Sequence, residues 1–153
     1  MSRIRKLGVA LVALCFLLFA QHRASTVPSS PFDQYGNICW ENEKARLDNF
    51  AIQLQNYQSA TGEIIVYAGE QSCNGEAKYR GNRARNWVLK RGLDPKRVVV
   101  KDGGYLREMS IYLIVRPQGA DPYDTPPSLP KKEVSIKRCV DKVFKRVLCL
   151  DHK

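Results

Sequence analysis

From Glu43 to Asn56 the chain reads EKARLDNFAIQLQN, with Leu47, Phe50, Ala51 and Leu54 at i, i+3, i+4 and i+7 and Arg46, Asn49 and Gln53 outside that stripe. This spacing predicts an amphipathic helix. SATG breaks it, and EIIVYA (Glu63 to Ala68) is a short β-branched run between turn residues, the pattern of a buried strand. A second helix is predicted from Gly75 to Arg91, ahead of Gly92, which suits the left-handed position beyond a helix end. Its stripe is Ala77, Gly81, Ala84 and Val88, small enough for close approach to a sheet, while Arg83, Arg85 and Lys90 are expected on a solvated face. LDPKRVVVKDGG is a turn into a strand, and EMSIYLIV (Glu108 to Val115) alternates Met109, Ile111, Leu113 and Val115 on one side. YGNICW, residues 35–40, reads as a further strand leading into the first helix. The order β-α-β-α-β-β implies an α/β (α+β) two-layer sandwich, a mixed sheet with its helices on one face.

Charge changes the picture only at the ends. The chain of 153 residues carries a formal net charge of +10, but residues 1–24 hold +4 of it and residues 131–153 hold +5. That leaves +1 for residues 25–130, too little for a nucleic-acid surface, and no nucleic-acid partner is expected. MSRIRK followed by the apolar run Leu7 to Ala20 has the form of a signal peptide over residues 1–24, cleaved or retained as a signal anchor. An exported protein, in the periplasm or cell envelope, is the expectation.

Export decides how the cysteines are weighed. Beyond the leader, which holds Cys15, stand Cys39, Cys73, Cys139 and Cys149, an even number with three connectivities open. Structural disulfides are favoured. No Cys-x-x-Cys spacing occurs and the two histidines, His22 and His152, sit in the tails, so neither a metal site nor a cofactor is expected. Enzymatic activity is not expected either. The paired acids Glu41 and Glu43, near a helix start, are explained by the helix dipole.

The succession ICWENEKARLDNFAIQLQN, IIVYAGE, YRGNRARNWVLKRGLDPKRVVV, DGGYLRE and SIYLIV, over residues 32–117, resembles the OmpA-like domains that bind peptidoglycan. The turn GLDPKRV is similar to the family's entry into its third strand, and counting back from Gly92 places the family arginine on Arg80 rather than Arg83. The resemblance implies a site for the diaminopimelate of a peptidoglycan stem peptide. Arg80 would grip its carboxylate through a two-pronged guanidinium contact, Glu70 would pair with its ammonium, and Arg107 stands where the family has paired arginines. Ala68-Gly69-Glu70 departs from the family's acidic motif, and the loop to Arg80 is short. A second expectation is therefore a scaffold that has lost this ligand and serves protein–protein or membrane-surface association.

Residues 118–130 lie in PQGADPYDTPPSLP, a Pro-rich linker expected to be extended and semi-rigid. Residues 131–153 form a basic tail with Ile136, Val140, Val143, Val147 and Leu150 on one helical side. It is suited to an anionic membrane surface, to a protein partner, or to folding back on its own domain. Non-catalytic attachment to the cell wall is the leading functional expectation.

Overall fold

The computed structural model describes residues 31–139. The expected leader, Cys149, and the positions Val140, Val143, Val147 and Leu150 of the expected tail helix lie outside the described residues. Four strands and two helices follow one another as β1 (Pro31–Tyr35), α1 (Trp40–Asn56), β2 (Thr61–Gly69), α2 (Glu76–Leu89), β3 (Val98–Leu106) and β4 (Ser110–Arg116). The sheet order is β1-β4-β2-β3, with β2 and β3 parallel and β4 antiparallel to both its neighbours. This is the mixed sheet and two-layer arrangement that the alternation of patterns implies.

Both helices pack on one face. Leu47, Phe50, Ala51 and Leu54 of α1 and Ala84 and Val88 of α2 meet Ile64, Val66, Ile111 and Leu113 in one buried cluster. Gly81 explains the close approach of α2: a Cβ there would stand 2.6 Å from Val100 Cγ1 and 3.2 Å from Val66 Cγ2. Beyond the last turn, Gly92 takes φ 84° and its N–H donates to the Leu89 carbonyl at 3.0 Å. The helix ends at Leu89, and the turn that follows it closes on this left-handed residue.

Most boundaries shift by one or two residues from the sequence reading, and two elements differ by more. The first strand is Pro31–Tyr35, not residues 35–40, because its alternate residues need β4 as a partner while Gly36 to Cys39 turn the chain into α1. The first helix starts three residues earlier, at Trp40, whose ring packs edge-on against Trp87 of α2 with centroids 5.5 Å apart. Tertiary contact extends the helix past the stripe that predicts it.

The opposite face of the sheet is also apolar, with Ile65, Tyr67, Tyr112 and Ile114 buried. Residues 117–130, read as a linker, contain no helix or strand but run across this face. Tyr67 Oη donates to the Pro126 carbonyl at 2.8 Å, the Leu129 N–H donates to the Tyr105 carbonyl at 2.7 Å, and the Tyr123 ring lies 6.1 Å from that of Tyr112. A strap, not a spacer, covers the second face. On the same face Glu63 is buried between Lys101 Nζ at 2.7 Å and Arg116 Nε at 2.8 Å.

After the strap the chain returns to the end of β2. Lys137 forms a parallel bridge with Cys73, and Cys73 is disulfide-bonded to Cys139. The described part of the tail is extended here, so Ile136 is not on a helix. Of the three open connectivities, one pair is thereby assigned.

Candidate functional site

Where β2 ends, the chain makes a tight turn before α2. The Gly69 N–H donates to Ser72 Oγ at 2.7 Å and the Ser72 N–H donates to the Gly69 carbonyl at 3.0 Å. A side chain at position 69 would put its Cβ 2.9 Å from the Met109 nitrogen, so the turn is pressed against the start of β4. Gly75 then takes φ 79° and starts α2. From the first turn of α2, Glu76 reaches both ways: Oε2 accepts the Cys73 N–H at 3.0 Å and Oε1 accepts Arg80 Nε at 3.1 Å.

Arg80 is clasped from its other side by Asn37, in the loop between β1 and α1, whose Oδ1 accepts Nη2 at 2.7 Å. The arginine is 3% exposed. A buried guanidinium needs a carboxylate and further acceptors to offset the loss of water, and Glu76 with Asn37 supplies them. Beside this pair lies an open cavity of about 470 Å³, whose lining includes Asn37, Ser72, Glu76, Arg107, Glu108 and Lys137. Neither Arg80 nor Glu70 is among the described residues that line it.

The structure thus separates the residues singled out in sequence. Arg107 stands exposed at the mouth. Arg80 works from behind the wall. Glu70 is half-buried beside the cavity and contributes its backbone: its N–H donates to the Arg107 carbonyl at 3.2 Å and its carbonyl accepts the Ser135 N–H at 2.7 Å. Asn37, Glu76 and Lys137 were not singled out. The i, i+4 spacing of Glu76 and Arg80 was a readable signal for one of them; nothing local marks Asn37 or Lys137.

The remaining arginines of α2 are not the solvated face expected of them. Arg83, 13% exposed, donates through Nη2 to the buried Glu43 carboxylate, and its guanidinium lies 4.2 Å from the centre of the Trp40 ring. Burial pushes the Glu43 carboxyl above its ordinary range, with the charges of Arg83 and Arg80 pulling it back. Tyr35, which donates to Glu43 at 3.3 Å, is pushed up by burial and by that carboxylate. Glu43 is therefore an internal counter-charge as well as a first-turn acid. Arg85 donates to the Val98 and Pro95 carbonyls, while Lys90 is exposed as expected. Arg97 closes the end of α1 by donating to the carbonyls of Leu54, Tyr57 and Ala60.

No protein-family model matches the chain, and no curated protein matches it. Chemically, the cavity offers two carboxylates, two cations, two amides and a hydroxyl within one opening. Such a set fits a small zwitterion, with carboxylate and ammonium groups carried close together. Among the described residues no cluster of three or more His, Cys, Asp or Glu side chains could hold a metal ion.

Proposed function

We propose that this is a non-catalytic cell-envelope protein that attaches to peptidoglycan by holding the diaminopimelate of a stem peptide in the cavity at the end of β2. The observation that carries the reading is the Asn37–Arg80–Glu76 clasp at the wall of a cavity with Arg107 at its mouth. The ligand's ammonium meets Glu76, and its carboxylate meets Arg107, whose planar fork suits it. Arg80 fixes both wall residues. The element order, with one helix between β1 and β2 and another between β2 and β3, accords with the sequence resemblance. The Cys73–Cys139 bridge supports an exported chain, because disulfides persist in oxidising compartments.

Retention on purified diaminopimelate-type sacculi, with free diaminopimelate as competitor, tests the proposal. Specific attachment requires that the free amino acid release the protein. Retention that only salt reverses would mean generic charge attraction and would overturn the assignment.

One observation favours a second reading. Arg80 spends Nε and Nη2 on the chain's own Glu76 and Asn37 and is nearly sealed from solvent, as expected of a scaffold in which the ligand's grip has become internal. In that case sacculi retain nothing, and the domain serves protein–protein or membrane-surface association.

A further inference from the structure

The returning segment 135–139 does more than close the chain. Its backbone is registered against the β2–α2 turn by three hydrogen bonds: Ser135 N–H to the Glu70 carbonyl at 2.7 Å, Lys137 N–H to the Ser72 carbonyl at 3.1 Å, and Asn74 N–H to the Lys137 carbonyl at 2.9 Å. The Cys73–Cys139 disulfide locks that register. In an extended segment successive side chains point to opposite sides. Lys137 and Cys139 line the 470 Å³ cavity, while Ile136 lines a separate cleft of about 200 Å³ beside Tyr105. A slip of one residue toward the C-terminus of the segment would put the apolar Ile136 at the place of Lys137, and a slip the other way would put Arg138 there.

Resting on the wall-binding reading above, we propose that segment 135–139 is a wall of the ligand site and that Lys137 is its second carboxylate-binding cation, set in place by the Cys73–Cys139 disulfide. Lys137 Nζ already donates to Gln71 Oε1 at 3.2 Å across the turn, so its stem is directed along the cavity rather than away from it. The ligand class is narrowed accordingly. An amino acid that ends in an ammonium alone satisfies Glu76 but brings no carboxylate to Arg107 and Lys137, which then have only Glu108 as a further acid in the cavity. One that carries a carboxylate beside the ammonium offers two oxygens, one to each cation. The site therefore selects a diaminopimelate stem peptide over the corresponding lysine stem peptide. A staple without a role in recognition would accept any side chain at position 137.

The test is calorimetric titration of the processed, oxidised chain with the tripeptide L-Ala-D-Glu-diaminopimelate and with its lysine counterpart, for wild type, Lys137→Arg, Lys137→Gln, Lys137→Glu and Cys73→Ser/Cys139→Ser. Lys137→Arg should bind the diaminopimelate peptide within about twofold of wild type, Lys137→Gln several-fold more weakly and Lys137→Glu at least about tenfold more weakly. Preference over the lysine peptide should shrink in step. The double serine variant should match Lys137→Gln, since its lysine is present but no longer held. Position 137 is exposed and its variants keep the disulfide, so loss there cannot be ascribed to unfolding; thermal melts of all five proteins check this. Wild-type binding with unchanged affinity in Lys137→Gln and Lys137→Glu would overturn this proposal and leave the wall-binding reading standing. Tighter binding by those variants would make the segment a cover over the site and overturn it as well. A wild type that binds neither peptide overturns both.

Discussion

Glu43 and Arg83, forty residues apart in sequence, form an ion pair between the two helices, with the carboxylate 1% exposed and the guanidinium against the Trp40 ring. Neither charge is at the surface for solubility. Each is the other's substitute for water, so removing one leaves the other stranded.

Arg83→Ala should therefore destabilise the fold by about 3 kcal/mol, far more than loss of a surface pair. A carboxyl held above its unfolded value binds more protons in the folded state, and its contribution is complete below that unfolded value and fades as pH rises through the folded one. Burial already holds Glu43 above its ordinary 4.5, and removing Arg83 removes the largest opposing influence. The gap in melting temperature between Arg83→Ala and wild type should be wide at neutral pH and narrower near about pH 4. A gap independent of pH, measured by circular dichroism melts, would show that Arg83 acts by packing alone.

Gly81→Ala tests the close approach of α2. Alanine is the better helix former by about 1 kcal/mol, yet its methyl would press on Val100 and Val66, an overpacking that costs about 1–3 kcal/mol. The net effect should be destabilising, seen as a lower urea midpoint. A raised midpoint would mean that α2 can lift from the sheet at little cost.

Reduction of the Cys73–Cys139 bond should release the returning segment while leaving the helical core intact. Closing a chain separation of 66 residues is worth about 2–4 kcal/mol. In hydrogen exchange, the amides of Asn74, Ser135 and Lys137 should lose protection, and those of Leu47 and Val88 should keep theirs. Uniform loss across all five would make the disulfide a condition of the whole fold.

Arg107→Ala and Arg91→Ala remove the same charge from different places. Arg91 is paired with Asp48 on the outer side of the helices, with Nε at 2.8 Å from Oδ1. On sacculi, Arg107→Ala should lose about tenfold in affinity while Arg91→Ala stays within about twofold, since only Arg107 lies at the cavity. Equal losses would point to a nonspecific charge effect.

Local pattern carried the fold well where one face was buried. The stripe through Leu47, Phe50 and Leu54 gives α1, and the alternation through Ile111 and Leu113 gives β4, because each periodicity reports a single partner surface. It failed where the partner is remote. Tyr112 and Ile114 look like the exposed half of an alternating strand, yet the strap buries them, and the strap's composition reads as linker. The candidate site shows the same limit. Arg80 stands out in the sequence only through its distance from Gly92, its Asn37 partner lies 43 residues away, and Lys137 belongs to a segment whose charge and apolar spacing read as a helical tail. Long-range pairing leaves no period in a sequence.

The first described strand, β1, has a single strand neighbour among the described residues, and that neighbour is the last strand, β4. Behind β4 come the strap over the second face and then the cysteine that closes the staple. The ribosome makes β4, which pairs with both β1 and β2, last of the four described strands. At roughly 5–20 residues per second, α1, β2 and α2 exist for seconds with their apolar sides bare before the middle of the sheet is filled. Chains terminated before residue 110 lack β4 and are expected to be cleared rather than stored half-built.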